Sequence, residues 1–207
     1  MGNAQRVAVF VDVQNMFYST RSAYSGKLNY DKLLKDVVGE RGLVRAIAYV
    51  VQRPDIDQNS FYDALDRFGY EIRIREAKNR IDATGKPIPN KGSYEVMLAV
   101  DVLSIADKVD TIILVTGDGS YTTLVECLRS KGIRVEIVGC KGSISSDLMD
   151  LVDKYTLIPQ EWVIHVKSKD NKEDPDNVAD NKGENEVANA PKDDGKNDED
   201  NIGNRVQ

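Results

Sequence analysis

Apolar positions in the first 165 residues fall into two kinds of run. One kind is short and nearly continuous: V-A-V-F-V ahead of Asp12, a similar run over 43–51 interrupted only by Arg45, and I-I-L-V ahead of Thr116 and Gly117. Short apolar runs bounded by turn residues read as strands buried on both faces, as in a parallel sheet. The other kind spaces its apolar residues three and four apart, as in Leu33, Leu34, Val37 and Val38, or Phe61, Leu65 and Phe68. That spacing is one face of a helix. The pattern predicts a strand over 6–12, a turn at 13–15, and a helix beginning near 16–21. A helix over 28–38 ends at Gly39 and Gly42, and a strand follows over 43–51. Next come a helix over 59–68, stopped by Gly69, an edge strand over 70–74, and a long polar loop over 75–91. The most apolar helix covers 93–107, with Ser93 as its cap. A strand over 111–116, a helix over 121–131, a strand over 133–138, a short helix over 145–152 and an extended piece over 155–158 complete the set. Strands alternating with helices give βαβ units with right-handed crossovers. The expected fold is α/β: a central, mostly parallel five-stranded sheet, order 3-2-1-4-5, with helices on both faces.

Two of these strands end on carboxylates. The first closes on Asp12, and the fourth runs through T-G-D-G to Asp118, where Gly117 and Gly119 allow a sharp turn. Strands one and four are neighbours in this order, and their carboxyl ends flank the point where ligands bind in open α/β sheets. Two aspartates held there repel each other unless a cation settles between them. The apolar helix adds Glu95 in its first turn and Asp101 in its middle. An unpaired charge among Val100, Val102 and Leu103 costs several kcal/mol, roughly, so Asp101 must be paired, ligated or at a wet face. Six residues separate Glu95 from Asp101, which points them about 120° apart on the helix. Both face one pocket only if it wraps the helix. A cluster of carboxylates without imidazole is hard-oxygen chemistry and suits Mg²⁺ or Mn²⁺ rather than zinc. Such an ion activates water and neutralises charge at a phosphoryl group. Asn15 is placed to orient Asp12, bind a phosphate or cap the following helix, and the hydroxyls of Thr116 and Ser120 are placed for the first two of these jobs.

Composition changes the picture mainly after residue 165. The stretch 166–207 holds twelve Asp and Glu against seven Lys and Arg, while the whole chain is −6, so residues 1–165 are near neutral. We expect a folded domain over 1–165 and a disordered acidic tail over 166–207, because isolated apolar residues cannot offset the entropy of ordering. The two cysteines, Cys127 and Cys140, have no metal-ligand spacing and read as free thiols in a reducing cytoplasm. One histidine, His165, makes a His-based triad or a zinc site improbable. No run is long enough for a signal or a membrane span. Gln14 two residues after Asp12 argues against a phosphotransferase of the haloacid dehalogenase type, which wants D-x-D there. The lack of G-x-G-x-x-G argues against a dinucleotide site.

The segment 73–91 carries Arg73, Arg75, Lys78, Arg80, Lys86 and Lys91 against Glu76 and Asp82. In a nearly neutral domain this is a local positive patch that fits a phosphate backbone, with Arg75, Lys78, Arg80 and Lys91 as candidate contacts. Tyr18, Tyr24 and Tyr30 are candidates for stacking on bases, although core or rim places are commoner for such residues.

These residues together resemble the NYN domain, a branch of the PIN-like metal-dependent ribonucleases that includes the bacterial LabA-type proteins. The likeness rests on V-F-V-D-V-Q-N at 9–15, N-K-G-S-Y-E-V-M-L-A-V-D at 90–101, and L-V-T-G-D-G-S-Y at 114–121, in that order and at those spacings. It implies a three-layer PIN-like fold over most of 1–165, with Mg²⁺- or Mn²⁺-dependent cleavage of RNA, the expected substrate being single-stranded. It carries catalytic roles onto Asp12, Asn15, Glu95, Asp101 and Asp118, the four carboxylates being the metal ligands. Ser120-Tyr121 stands where the family usually has Asp-Phe, so one acidic ligand is missing and Ser120 becomes a candidate RNA contact. Glu95 stands where Asp is commoner. The alternative reading is a non-catalytic or weakly active RNA-binding regulatory module on the same fold. A cytoplasmic protein without membrane contact is expected, and a homodimer is compatible with the sequence.

Overall fold

The computed structural model describes residues 5–52, 56–76, 80–81, 87–88 and 94–165. They all belong to the unit Met1–Lys167. The expected acidic tail over 166–207 lies outside the described residues.

Strand β1, Arg6–Asp12, runs straight into helix α1, Val13–Tyr24. No separate turn intervenes, because the Asp12 side chain itself caps the helix by accepting from the Asn15 N–H at 2.8 Å. Strand β2, Lys27–Leu28, is followed by α2, Tyr30–Val38, capped by Asn29, so the expected helix over 28–38 begins two residues late. Then come β3, Gly42–Gln52, α3, Asn59–Arg67, and β4, Glu71–Glu76. The expected long loop contains a short antiparallel pair, β5, Arg80–Ile81, and β6, Pro87–Ile88. Helix α4, Glu95–Ile105, precedes β7, Thr111–Val115, α5, Thr122–Ser130, and β8, Arg134–Gly139. The chain continues through α6, Ser146–Leu151, β9, Lys154–Leu157, and β10, Val163–Ile164.

The main sheet has six strands in the order β4-β3-β1-β7-β8-β9, and every neighbouring pair is parallel. Its first five strands follow the expected 3-2-1-4-5. The sixth is the piece over 155–158 that the sequence marked only as extended. It joins beside β8, with Glu136 opposite Lys154 and Gly139 opposite Leu157. A second small sheet pairs β10 with β2.

Side chains alternate across the strands, which divides the core in two. Val7, Val9 and Val11 of β1 face Met16, Leu33 and Leu65 from α1, α2 and α3. Ala8 and Phe10 face the opposite layer, with Leu98 and Val102 of α4, Leu128 of α5 and Leu148 of α6. Burying each such leucine contributes about 1.5–3 kcal/mol, so packing on the sheet, more than helix propensity, holds both layers. Asp12 continues the parity of Ala8 and Phe10. Its side chain therefore emerges on the α4 face.

Candidate active site

At the carboxyl ends of β1 and β7 lies an open pocket of about 470 Å³, lined by Asp12, Gln14, Asn15, Tyr18, Ser19, Tyr94, Glu95 and Asp118. Asp12 is its most buried carboxylate, only 5% exposed. Asp12 Oδ1 accepts from the Asn15 N–H at 2.8 Å and from the Tyr94 hydroxyl. Asp12 Oδ2 accepts a longer bond, 3.4 Å, from Thr116 Oγ1. Burial raises the Asp12 pKa above the ordinary carboxylate value. The bonds from Tyr94 and Asn15 oppose the rise, and the negative charges of Asp118 and Glu95 add to it. Burial beside these charges pushes the phenols of Tyr94 and Tyr121 far above their ordinary range, so both stay protonated.

Asp118 is held by its own turn. Its Oδ1 accepts from the Ser120 N–H at 2.9 Å, and its N–H donates to Thr116 Oγ1 at 3.2 Å. The Asn15 side chain neither caps α1 nor touches Asp12. Its Oδ1 accepts from the Gly117 N–H at 3.0 Å and so ties the Asp118 turn to α1, while its backbone N–H is what fixes Asp12.

Asp12, Asn15, Glu95 and Asp118 thus share one pocket, and Asp101 is not among its lining residues. Asp101 Oδ2 accepts from the Tyr49 hydroxyl at 2.9 Å and from Arg73 Nε at 3.3 Å. The charge that had to be paired or ligated is paired. Arg73 is correspondingly committed to α4 and is not a spare cation of the basic patch. Arg75, on β4, is exposed, as is Ser120. Lys78, Lys86, Lys91 and the side chain of Arg80 lie outside the described residues. Of the three candidate stacking tyrosines, Tyr18 is 46% exposed at the pocket. Tyr24 donates its hydroxyl to the Ile158 carbonyl, and Tyr30 is buried against Phe61 and Tyr70. Cys127 and Cys140 are both free thiols. Among the described residues no helix is long and apolar enough to cross a membrane.

Tyr94, Gln14 and Ser19 line the pocket although the sequence gave none of them a role. For Tyr94 a signal existed. It stands seven residues before Asp101, two helical turns, and therefore on the same stripe of α4. Glu95 does not share that stripe.

Among the described residues no three of Asp, Glu, His and Cys form a group that could hold a metal ion by themselves. The residues present still fit a hard divalent cation of the Mg²⁺ class, which commonly takes one or two carboxylates and keeps several waters. Asp12 and Asp118 offer oxygen donors only, with Glu95 close enough to raise the Asp12 pKa. Tyr121 Oη is buried without a hydrogen-bond partner among the described residues, and it feels the charges of Asp12, Glu95 and Asp118. A buried polar atom in that state is what a hydrated ion or an ordered water would satisfy.

The NYN domain family matches residues 6–159 of this chain. The low amplitude and bright protein LabA of Synechococcus elongatus is 28% identical over 154 residues, which cover 72% of this chain and 82% of that protein. The crystal structure of a Vibrio parahaemolyticus protein of unknown function superposes with a TM-score of 0.71 at 29% identity, covering 79% of this chain and 99% of that one. With the domain match running from the first strand of the sheet past the last, the chain belongs to the NYN domain family.

Proposed function

We propose that this chain is a metal-dependent endoribonuclease that hydrolyses RNA phosphodiester bonds. Membership in the NYN family, a branch related to PIN-like ribonucleases, points to RNA-related nuclease chemistry. The observation that carries the finer reading is Asp12, a buried carboxylate at the floor of an open pocket whose other acids are Asp118 and Glu95.

In this reading Asp12 and Asp118 hold Mg²⁺ or Mn²⁺, and Glu95 completes the charge around it. When bound, the ion neutralises the phosphoryl oxygens and makes water a stronger nucleophile at neutral pH. Asn15 keeps the two strand ends in register by holding Gly117. Tyr18, at the pocket and half exposed, offers an aromatic face to an unpaired base. Arg75 is exposed on the edge strand β4, and a guanidinium there suits a phosphate. Asp101 enters as a residue paired to Arg73 and Tyr49.

A second reading is supported by two observations. Ser120 presents an exposed hydroxyl where the family resemblance leads to the expectation of an acid, and no complete metal-holding group of acids is present among the described residues. On that basis the chain binds RNA with little or no turnover.

The test is cleavage of single-stranded RNA with Mg²⁺ or Mn²⁺. EDTA is expected to stop it, and Asp12→Asn to lower it by about a hundredfold or more. Asparagine still caps α1 and removes a buried charge repelled by two others, so the melting temperature of this variant should match or exceed that of the parent. Cleavage that survives both EDTA and Asp12→Asn ends the nuclease reading. RNA binding without turnover in the unaltered chain selects the second.

A further inference from the structure

Three neighbouring strands bring one residue each into a row at their carboxyl ends. Asp12 of β1 is opposite Tyr49 of β3, and Tyr49 is opposite Arg73 of β4. The parity of the strands turns this row toward α4, on the face where Phe10 and Ile47 are buried. Tyr94, at the start of α4, and Asp101, two turns on, lie over it. The Tyr94 hydroxyl donates to Asp12 Oδ1. The Tyr49 hydroxyl donates to Asp101 Oδ2 at 2.9 Å, and Arg73 Nε donates to the same oxygen at 3.3 Å. The two phenol rings stack, centroids 6.0 Å apart and planes 26° from parallel. The contacts pass without a gap from the edge strand to the pocket floor: Arg73, Asp101, Tyr49, Tyr94, Asp12.

We propose that Tyr94 is the positioning residue of Asp12, and that Arg73, Asp101 and Tyr49 act through it as a brace, so that Asp101 is a positioning residue and not a metal ligand. The proposal rests on the reading of Asp12 as a cation-holding carboxylate. Asn15 and Tyr94 both bind Oδ1, which fixes the plane of the carboxylate. Oδ2, whose partner among the described residues is the long bond from Thr116, is the less committed oxygen and the one we assign to the cation. Tyr94 can hold that plane only if its own ring cannot turn. Tyr49 stacks on one side of it and is itself anchored by Asp101. Arg73 neutralises Asp101, so the anchor adds no unpaired negative charge beside the pocket.

The test uses the full chain and Mn²⁺ alone as probe, with dissociation constants from the electron paramagnetic resonance of free Mn²⁺ and melting temperatures measured in parallel. Asp12→Asn is expected to abolish binding. Tyr94→Phe, which keeps the ring and its stack, should weaken it about tenfold, the scale of losing a partner that orients a ligand. Asp101→Asn should weaken it less, and combining it with Tyr94→Phe should add little, since both act along one path. Unchanged affinity in Tyr94→Phe overturns the proposal. So does an Asp101→Asn variant that loses Mn²⁺ as completely as Asp12→Asn, because Asp101 would then be a ligand. If the unaltered chain binds no Mn²⁺, the proposed function fails there. The brace is then decided by melting temperatures: non-additive shifts of Tyr94→Phe and Asp101→Asn support it, and additive shifts overturn it.

Discussion

Gly117 carries a constraint that its place in T-G-D-G does not announce. In the sequence it reads as a residue needed for a sharp turn. Its φ is not in the left-handed region, which among the described glycines is occupied by Gly39, Gly69, Gly132 and Gly142. What it lacks is room. A Cβ at 117 would sit 2.1 Å from the Ser143 carbonyl oxygen, and the Ser145 N–H donates to the Gly117 carbonyl at 3.0 Å. A Cβ at Gly119 would meet only the Ser145 side chain, its hydroxyl at 2.9 Å and its Cβ at 3.2 Å, and no backbone atom; the hydroxyl can swing aside. Gly117 also donates to Asn15 and precedes Asp118, so forcing it outward moves both ties of the pocket. Gly117→Ala should cost about 1–3 kcal/mol, as overpacking does. The midpoint of chemical denaturation should fall accordingly, and Mn²⁺ affinity with it, while Gly119→Ala changes both less. An alanine at 117 with parental stability would mean that the 143–145 segment yields more easily than this close backbone contact implies.

At the scale of elements, packing against the sheet's outer strands is joined by charge. Glu136 of β8 is 7% exposed, and its carboxylate receives Arg134 Nε at 2.9 Å and Arg41 Nη1 at 3.1 Å, Arg41 lying between α2 and β3. Burial alone would raise its pKa, but the bonds from Arg134 and Arg41 outweigh burial and hold it below the ordinary value of 4.5. A carboxyl whose folded pKa is depressed adds stability above its unfolded pKa, and that stability is lost as pH falls through the folded value. Glu136→Gln is therefore expected to lower stability by about 1–3 kcal/mol near neutral pH. The difference between parent and variant should shrink below about pH 4.5, read from urea midpoints across a pH series. A gap that stays constant from neutral to acid pH would place the effect in packing instead. The same elements show how far the sequence could be read. Strands β1 and β7 were legible because their apolar runs are unbroken, and β3 and β8 because only Arg45 and Glu136 interrupt theirs. Strand β9 was not, because Tyr155 and Leu157 are 50% and 43% exposed and its pairing depends on β8 alone. Helix α4 was legible as a helix but not in its orientation. It is apolar all round, with Val96 and Val100 at 73% and 59% exposed, so hydrophobicity did not mark the inward face. That is why the sequence does not separate Glu95 from Asp101, and why Tyr94, on the buried stripe, carries no sequence signal beyond its spacing of seven from Asp101.

For the molecule as a whole, charge has to be read by place rather than by sum. The chain is −6, yet its acids outnumber its bases mostly beyond residue 165, and the basic residues of 73–91 belong to the edge of the sheet and the segment following it. If RNA is the partner, its binding is governed by that edge and not by net charge. Affinity should fall as salt rises, with a log–log slope of about −2 if three phosphates are contacted, at roughly −0.7 per contact for a single strand. The structure separates two arginines that the sequence set side by side. Arg75 is exposed, whereas Arg73 is bound to Asp101 under α4. Arg75→Ala should reduce the slope by about 0.7, the share of one phosphate contact, while Arg73→Ala should leave the slope unchanged. Fluorescence anisotropy of a labelled single-stranded RNA at several salt concentrations reads both. Equal loss of slope in the two variants would mean that Arg73 leaves Asp101 to meet the strand, which would break the brace whenever RNA binds. An unchanged slope in Arg75→Ala would move the phosphate path off β4 altogether, toward the α1 side of the pocket where Gln14, Tyr18 and Ser19 lie.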